Sequence, residues 1–252
     1  MSKHNRHSVN DEPHLRGDSF EIDPSEAKAA QVSPTGDSSD TARIEHTVWS
    51  EPILTDKDRQ QIPADALTYE RWLDARISSR SVAKSWLLTL MVAVIAGPWA
   101  ILGALMSGGS STFAVLSVTI FGPLVEEIMK VAGLLWIVEK RPFLFTSRLQ
   151  IIICALCGGL VFAVIENFIY LNVYVPNPPE SLVQWRWTVC TFLHCGCSLI
   201  AGMGLIQVWA TTMKDRVQPN IADAARYLIL AMVIHGIYNG FCVFLSLIKF
   251  QF

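Results

Sequence analysis

Charge is what this sequence goes without for longest. Between Ser85 and Val125 there is no Asp, Glu, Lys, Arg or His, a longer uncharged run than the core helix of a soluble protein needs. A soluble bundle is thereby excluded and membrane spans are implied. An excess of basic charge is missing too: 20 Lys and Arg stand against 22 Asp and Glu. No block of like basic charges occurs in the N-terminal segment, so no nucleic-acid partner is expected. Nothing apolar enough to serve as a secretory signal peptide precedes Lys84, and the first span is expected to direct insertion. A disulfide framework is also lacking. The 6 cysteines (Cys154, Cys157, Cys190, Cys195, Cys197 and Cys242) all fall within predicted spans, where they read as small, soft packing residues. Cys195 and Cys197 point to different faces of a helix and cannot chelate together without unwinding; Cys154 and Cys157, one turn apart, could bind metal but read better as packing.

What is present divides into three parts. Residues 1–64 form a polar stretch with clusters such as Ser33-PTGDSSDTAR-Arg43, too poor in apolar side chains to fold alone and expected to be a largely disordered tail. Residues 65–84 form a juxtamembrane segment in which Tyr69, Leu73 and Ile77 recur at helical spacing; a short amphipathic helix is one reading and a solvated linker the other. Residues 85–252 form an all-α membrane domain. Five spans are predicted, at 85–106, 112–138, 149–174, 182–212 and 224–249. Gly122-Pro123 is expected to kink the second span just before its charges. Basic residues set the orientation. Arg71, Arg76, Arg80 and Lys84 precede the first span, Lys140, Arg141 and Arg148 lie between the second and third, and Lys214, Arg216 and Arg226 lie between the fourth and fifth. All of them share one side if the N-terminus is cytoplasmic and the C-terminus outside. Trp86, Trp136, Trp185, Trp187 and Trp209 fall near span ends, as interfacial anchors do.

Against this apolar background the polar residues stand out. The second span carries Glu126, Glu127 and Lys130. A charged side chain at the bilayer centre costs about 3 kcal/mol on insertion scales, and two adjacent carboxylates cost more unless one is paired, protonated or metal-bound. Glu126 and Lys130 are four apart, in the favourable order for an ion pair, whereas Glu127 is turned about 100° around the helix. The sequence therefore predicts Glu126 held by Lys130 and Glu127 free. The third span carries Glu166-Asn167, with Phe162 one turn earlier and Gly158-Gly159 suited to close helix approach. The fourth and fifth spans carry His194 and His235, each followed one turn on by a polar residue, Ser198 and Asn239. At about 1.5 Å per residue these groups reach similar depths and can share one cavity. Imidazole and carboxylate are ligands for zinc and related ions, and a neighbouring Glu suits a general base. Asn167, Ser198 and Asn239 would support such a site.

In order, Glu126-Glu127-x-x-Lys130, Phe162-x-x-x-Glu166-Asn167, His194 and His235-x-x-x-Asn239 resemble the PrsW family of intramembrane proteases, a family similar in turn to the CAAX prenyl protease and bacteriocin-immunity superfamily. The resemblance covers residues 85–252 and leaves out the tail. It implies an integral, multi-pass protein of a bacterial plasma membrane that cleaves membrane-bound substrates, such as an anti-sigma factor or another single-pass protein, in a lipid setting. It also implies Glu126, Glu127, Glu166, His194 and His235 as the catalytic set. His194, His235 and Glu166 become candidate ligands of a divalent metal such as zinc, with a metal-independent glutamic mechanism as the alternative. Larger members carry more spans. The same Glu and His residues would also suit a proton-coupled or metal-ion transporter, although no internal repeat is found, or a non-catalytic scaffold held by a polar cluster.

Overall fold

The computed structural model describes residues 66–106 and 114–248; the polar stretch 1–64 lies outside them. Every regular element among the described residues is helical. Helix α1 is Tyr69–Ser79 and α2 is Val82–Met106. A short turn Ala114–Leu116 and a π-helical turn Ser117–Phe121 lead into α3, Gly122–Lys140. Helix α4 is Arg148–Ile169, extended by a π-helical turn Tyr170–Tyr174. Helix α5, Glu180–Trp185, runs through a third π-helical turn, Arg186–Cys190, into α6, Thr191–Asp215. Helix α7 is Ala225–Leu247.

Four of these stretches are long and apolar enough to cross a membrane: Val82–Leu105, Arg148–Tyr174, Glu180–Asp215 and Ile221–Leu247. They agree with the first, third, fourth and fifth predicted spans. The described part of the second predicted span, from residue 114 on, is helical but is not among the four, because Glu126, Glu127, Lys130, Glu139 and Lys140 all lie in α3. Its charges are instead taken up by the neighbouring helices: Glu126, Glu127 and Lys130 are buried in the bundle. Large apolar residues face outward elsewhere, as on α7, where Ile229, Val233, Ile237, Phe241 and Phe244 are exposed. An apolar exterior around a polar centre is the pattern a bilayer solvent requires.

A π-helical turn lies immediately before Gly122-Pro123, where the sequence predicts a kink. Proline lacks an N–H and its ring crowds the carbonyl four residues earlier, so a wider turn relieves both problems. Close approach by small residues appears where it was expected. A Cβ on Gly159 would lie 2.7 Å from the His194 carbonyl oxygen and 2.8 Å from Ser198 Oγ, so α4 and α6 meet at this depth because position 159 has no side chain.

The end of the bundle bearing the basic connections is stapled. Gln150 Nε2 donates to Ser85 Oγ at 2.8 Å and Thr89 Oγ1 at 3.0 Å, joining α4 to α2, while its Oε1 accepts from the Thr146 and Ser147 backbone N–H groups. The juxtamembrane segment contains helix α1. It starts at Thr68, whose side chain accepts from the Arg71 N–H, the usual work of an N-cap. Its buried face, Tyr69, Trp72 and Leu73, packs on Phe143 between α3 and α4. Asp74 pairs with Arg216 at 2.6 Å, just past the end of α6. Arg80 donates to the Phe145 carbonyl. The basic segments before α2, between α3 and α4, and after α6 therefore meet at one end of the bundle, as the charge pattern anticipates.

Candidate active site

Four helices converge on one buried polar cluster. Helical spacing puts Glu126, Glu127 and Lys130 on the inward face of α3. Glu166 comes from α4, His194 from α6 and His235 from α7. Glu127, Lys130, His194 and His235 are almost wholly buried, and Glu126 nearly so. The two imidazole rings stand edge to face, 4.9 Å apart. Phe162 closes one side, with its ring 5.0 Å from that of His194 and the Lys130 ammonium 4.1 Å above it, a favourable cation–π position.

Lys130 is paired differently from the expectation. Its Nζ lies 2.8 Å from Glu127 Oε1 and 3.9 Å from Glu126 Oε2. The residue three apart is in hydrogen-bond contact, and the residue four apart makes a longer ion pair. Intrahelical spacing allows both contacts, and the neighbouring helices decide between them. His235 Nδ1 lies 2.7 Å from the same Glu127 Oε1, and Lys130 Nζ also lies 2.9 Å from His194 Nδ1. Glu127 is therefore the tied carboxylate, while Glu126 Oε2 is buried with no hydrogen-bond partner.

The proton positions on both rings follow from their neighbours. An ammonium only donates, so His194 Nδ1 accepts from Lys130 and its Nε2–H donates to Glu166 Oε2 at 2.9 Å. A carboxylate only accepts, so His235 Nδ1–H donates to Glu127, and its Nε2 lies 3.7 Å from Glu126 Oε2. Each histidine thus has one ring nitrogen bonded to a carboxylate. Metal-binding histidines are commonly oriented in this way. Glu126, His194 and His235 each have a ligand atom within 4.8 Å of the other two. Two imidazoles and a carboxylate form a donor set that divalent zinc-like ions accept. The unpartnered Oε2 atoms of Glu126 and Glu127 are what a missing cation would leave, since buried polar atoms are otherwise satisfied. The residues fit a divalent metal.

Glu166 belongs to the cluster by contact with His194 but is not in the close trio. It also accepts from Arg186 Nη2 at 2.8 Å. Asn167, Ser198 and Asn239 lie beside the cluster. Asn167 Nδ2 donates to the Arg186 carbonyl at 3.0 Å and to Thr191 Oγ1 at 3.1 Å. Asn239 Nδ2 donates to the Val118 carbonyl at 2.9 Å. Ser198 Oγ is buried against Gly159 without a partner. The two asparagines thus brace the π-helical turns Arg186–Cys190 and Ser117–Phe121. Arg186 is a functional neighbour that the sequence reading leaves out. The signal was there: it is the sole Lys or Arg between Arg148 and Lys214, and the cost argument applied to the Glu pair applies to it as well.

An all-helical, multi-pass integral membrane protein with a buried Glu/His cluster suited to a divalent metal is the class that fold and site define. A comparison with protein families matches residues 79–251 to the PrsW family intramembrane metalloprotease. The chain belongs to that family, and it is an intramembrane metalloprotease, a peptide hydrolase. Neither the curated proteins nor the solved structures give a match.

Proposed function

We propose that the chain hydrolyses peptide bonds of membrane-anchored proteins, with Glu126, His194 and His235 holding a divalent metal and Glu127 receiving the proton of the attacking water. The observation that carries this reading is the approach of three ligand atoms from three helices to within 4.8 Å. Zinc is the ion we favour, because two imidazoles and one carboxylate with room for water is a catalytic zinc ligand set. When bound, such an ion polarises the scissile carbonyl and acidifies water. Glu127 Oε1 is engaged by Lys130 and His235, and its Oε2 is the atom left to take a proton. Lys130 keeps Glu127 in the ionised form a base requires. His194 Nδ1, now facing Lys130, would be the ring nitrogen offered to the metal, with Glu166 orienting the ring through Nε2. Glu166 suits that orienting task better than the ligand role the resemblance implied. Asn167, Asn239 and Ser198 hold the surrounding backbone.

Because the cluster lies among membrane-spanning helices, the bond to be cut must reach it within the bilayer. A single-pass protein such as an anti-sigma factor fits that requirement. We place the chain in a bacterial plasma membrane with its N-terminus cytoplasmic and its C-terminus outside, on the strength of the shared basic end. We regard the family as a distant relative of the CAAX prenyl proteases, which share paired Glu on one helix and His on later ones. Metal analysis of purified protein tests the core of the proposal. Stoichiometric zinc is expected in the parent and absent after His194→Ala or His235→Ala. Parental zinc content in both variants would overturn it.

A further inference from the structure

Arg186 stands outside the Glu/His cluster yet is joined to it through one oxygen atom. We propose that Arg186 is a positioning residue of the active site: it holds Glu166 so that Glu166 fixes the ring of His194. The inference rests on the metallopeptidase reading of the cluster. Glu166 Oε2 accepts from both Arg186 Nη2, at 2.8 Å, and His194 Nε2, at 2.9 Å. An oxygen with two donors has one place to be, whereas with His194 alone the carboxylate could turn about its own bonds. Freedom to turn matters here because the Glu166 side chain is 29% exposed, against 12% for Arg186.

Arg186 is itself restrained at both ends. Its guanidinium carbon lies 4.2 Å from the centre of the Tyr170 ring, a favourable cation–π position. Its carbonyl accepts from Asn167 Nδ2 and Thr191 Oγ1. The adjacent residues Glu166 and Asn167 thus take the head and the backbone of the same arginine, which gives the Glu-Asn pair a joint task. Arg186 also opens the π-helical turn that runs directly into α6, the helix carrying His194. Glu166 therefore ties α4 to this element at two levels, one of them the candidate ligand itself. A purely structural pair would have no need to share the oxygen that touches the ring.

The test is zinc and cobalt(II) titration of the metal-stripped full-length protein in nanodiscs. The parent would be compared with Arg186→Met, Arg186→Lys, Glu166→Gln, the Arg186→Met/Glu166→Gln double variant and His235→Ala. Loss of a partner that orients a ligand lowers metal affinity about 10- to 100-fold, so Arg186→Met is expected to fall in that range. The double variant should be no weaker than the weaker single, because both act through one contact. Arg186→Lys should recover most of the loss, since a single donor to Oε2 is what is required. The cobalt absorption bands should shift in Arg186→Met. Parental zinc affinity and an unshifted cobalt spectrum in Arg186→Met, with His235→Ala losing metal, would sink this inference and leave the site reading intact. Equal loss in the Met and Lys variants, matched by equal lowering of the metal-free Tm, would reduce Arg186 to a structural pair. Retention of metal by His235→Ala would overturn the site reading and this inference with it.

Discussion

Glu127 keeps its two carboxylate oxygens in different surroundings. Oε1 meets Lys130 and His235, while Oε2 is buried without a partner. Glu126, one residue earlier, sits in the trio with both histidines. The two carboxylates should therefore respond differently to the same change. Glu127→Gln is expected to lower peptide cleavage at least about 100-fold, the scale of a lost general base, while zinc content stays near stoichiometric. Glu126→Gln is expected to lose the metal as well. Cleavage assays beside elemental analysis check this, and parental cleavage by Glu127→Gln would refute its role. Lys130 offers a stability test. Its ammonium is fully buried between Glu127 and His194, so Lys130→Met leaves a buried carboxylate with one partner fewer. Breaking a buried pair from one side costs about 3–5 kcal/mol. Thermal unfolding in detergent should show a clearly lowered Tm, and an unchanged Tm would mean the pair contributes nothing. The sequence carried the identities of these residues and the Lys130–Glu126 pair, present at 3.9 Å, but not the closer contact with Glu127 at 2.8 Å, because positions three and four along one helix are equivalent until other helices supply His194 and His235.

At the level of elements, the site depends on how closely α4 and α6 approach. Gly159 lies against the His194 carbonyl and Ser198 Oγ. Gly159→Ala would bring its methyl to 2.7 Å from that carbonyl oxygen, and overpacking of this kind costs about 1–3 kcal/mol. Because the displaced backbone is that of His194, metal affinity should fall along with Tm. A variant with lowered Tm and parental zinc affinity would show that the helix can shift without moving the ring. Gly158-Gly159 announced this contact in the sequence, since small residues mark close helix pairs in membranes. The π-helical turns Ser117–Phe121 and Arg186–Cys190 were not foreseen as such. Only Gly122-Pro123 hinted at the first, and nothing local marks the second, which is held by Asn167 from another helix.

For the whole molecule, the basic connections gather at one end, where α1 docks on Phe143 and Asp74 meets Arg216. If that end is cytoplasmic, reporter fusions after Glu139 and after Asp215 should be active only with a cytoplasmic reporter. A fusion to the C-terminus should be active only with an exported one. The same reporter preference at all three points would contradict the orientation. The docking of α1 also carries a prediction: Leu73 is fully buried, and Leu73→Ala should cost about 2–5 kcal/mol, read as a lower Tm or faster proteolysis between α1 and α2.

Residue types alone determined that this chain lives in a membrane, since an uncharged run from Ser85 to Val125 has no other stable solvent. They also determined which polar groups must matter, because each is costly in lipid and must repay its presence. Spacing along single helices then set which side chains share a face. Partnership across helices was settled only by the tertiary structure. Tertiary packing brought Glu126 to the histidines, gave Glu127 to Lys130 and His235, and tied Arg186 through Glu166 to His194. The physical reason is that hydrogen bonds and metal ligation act over about 3 Å, a range at which helix rotation and separation decide every contact.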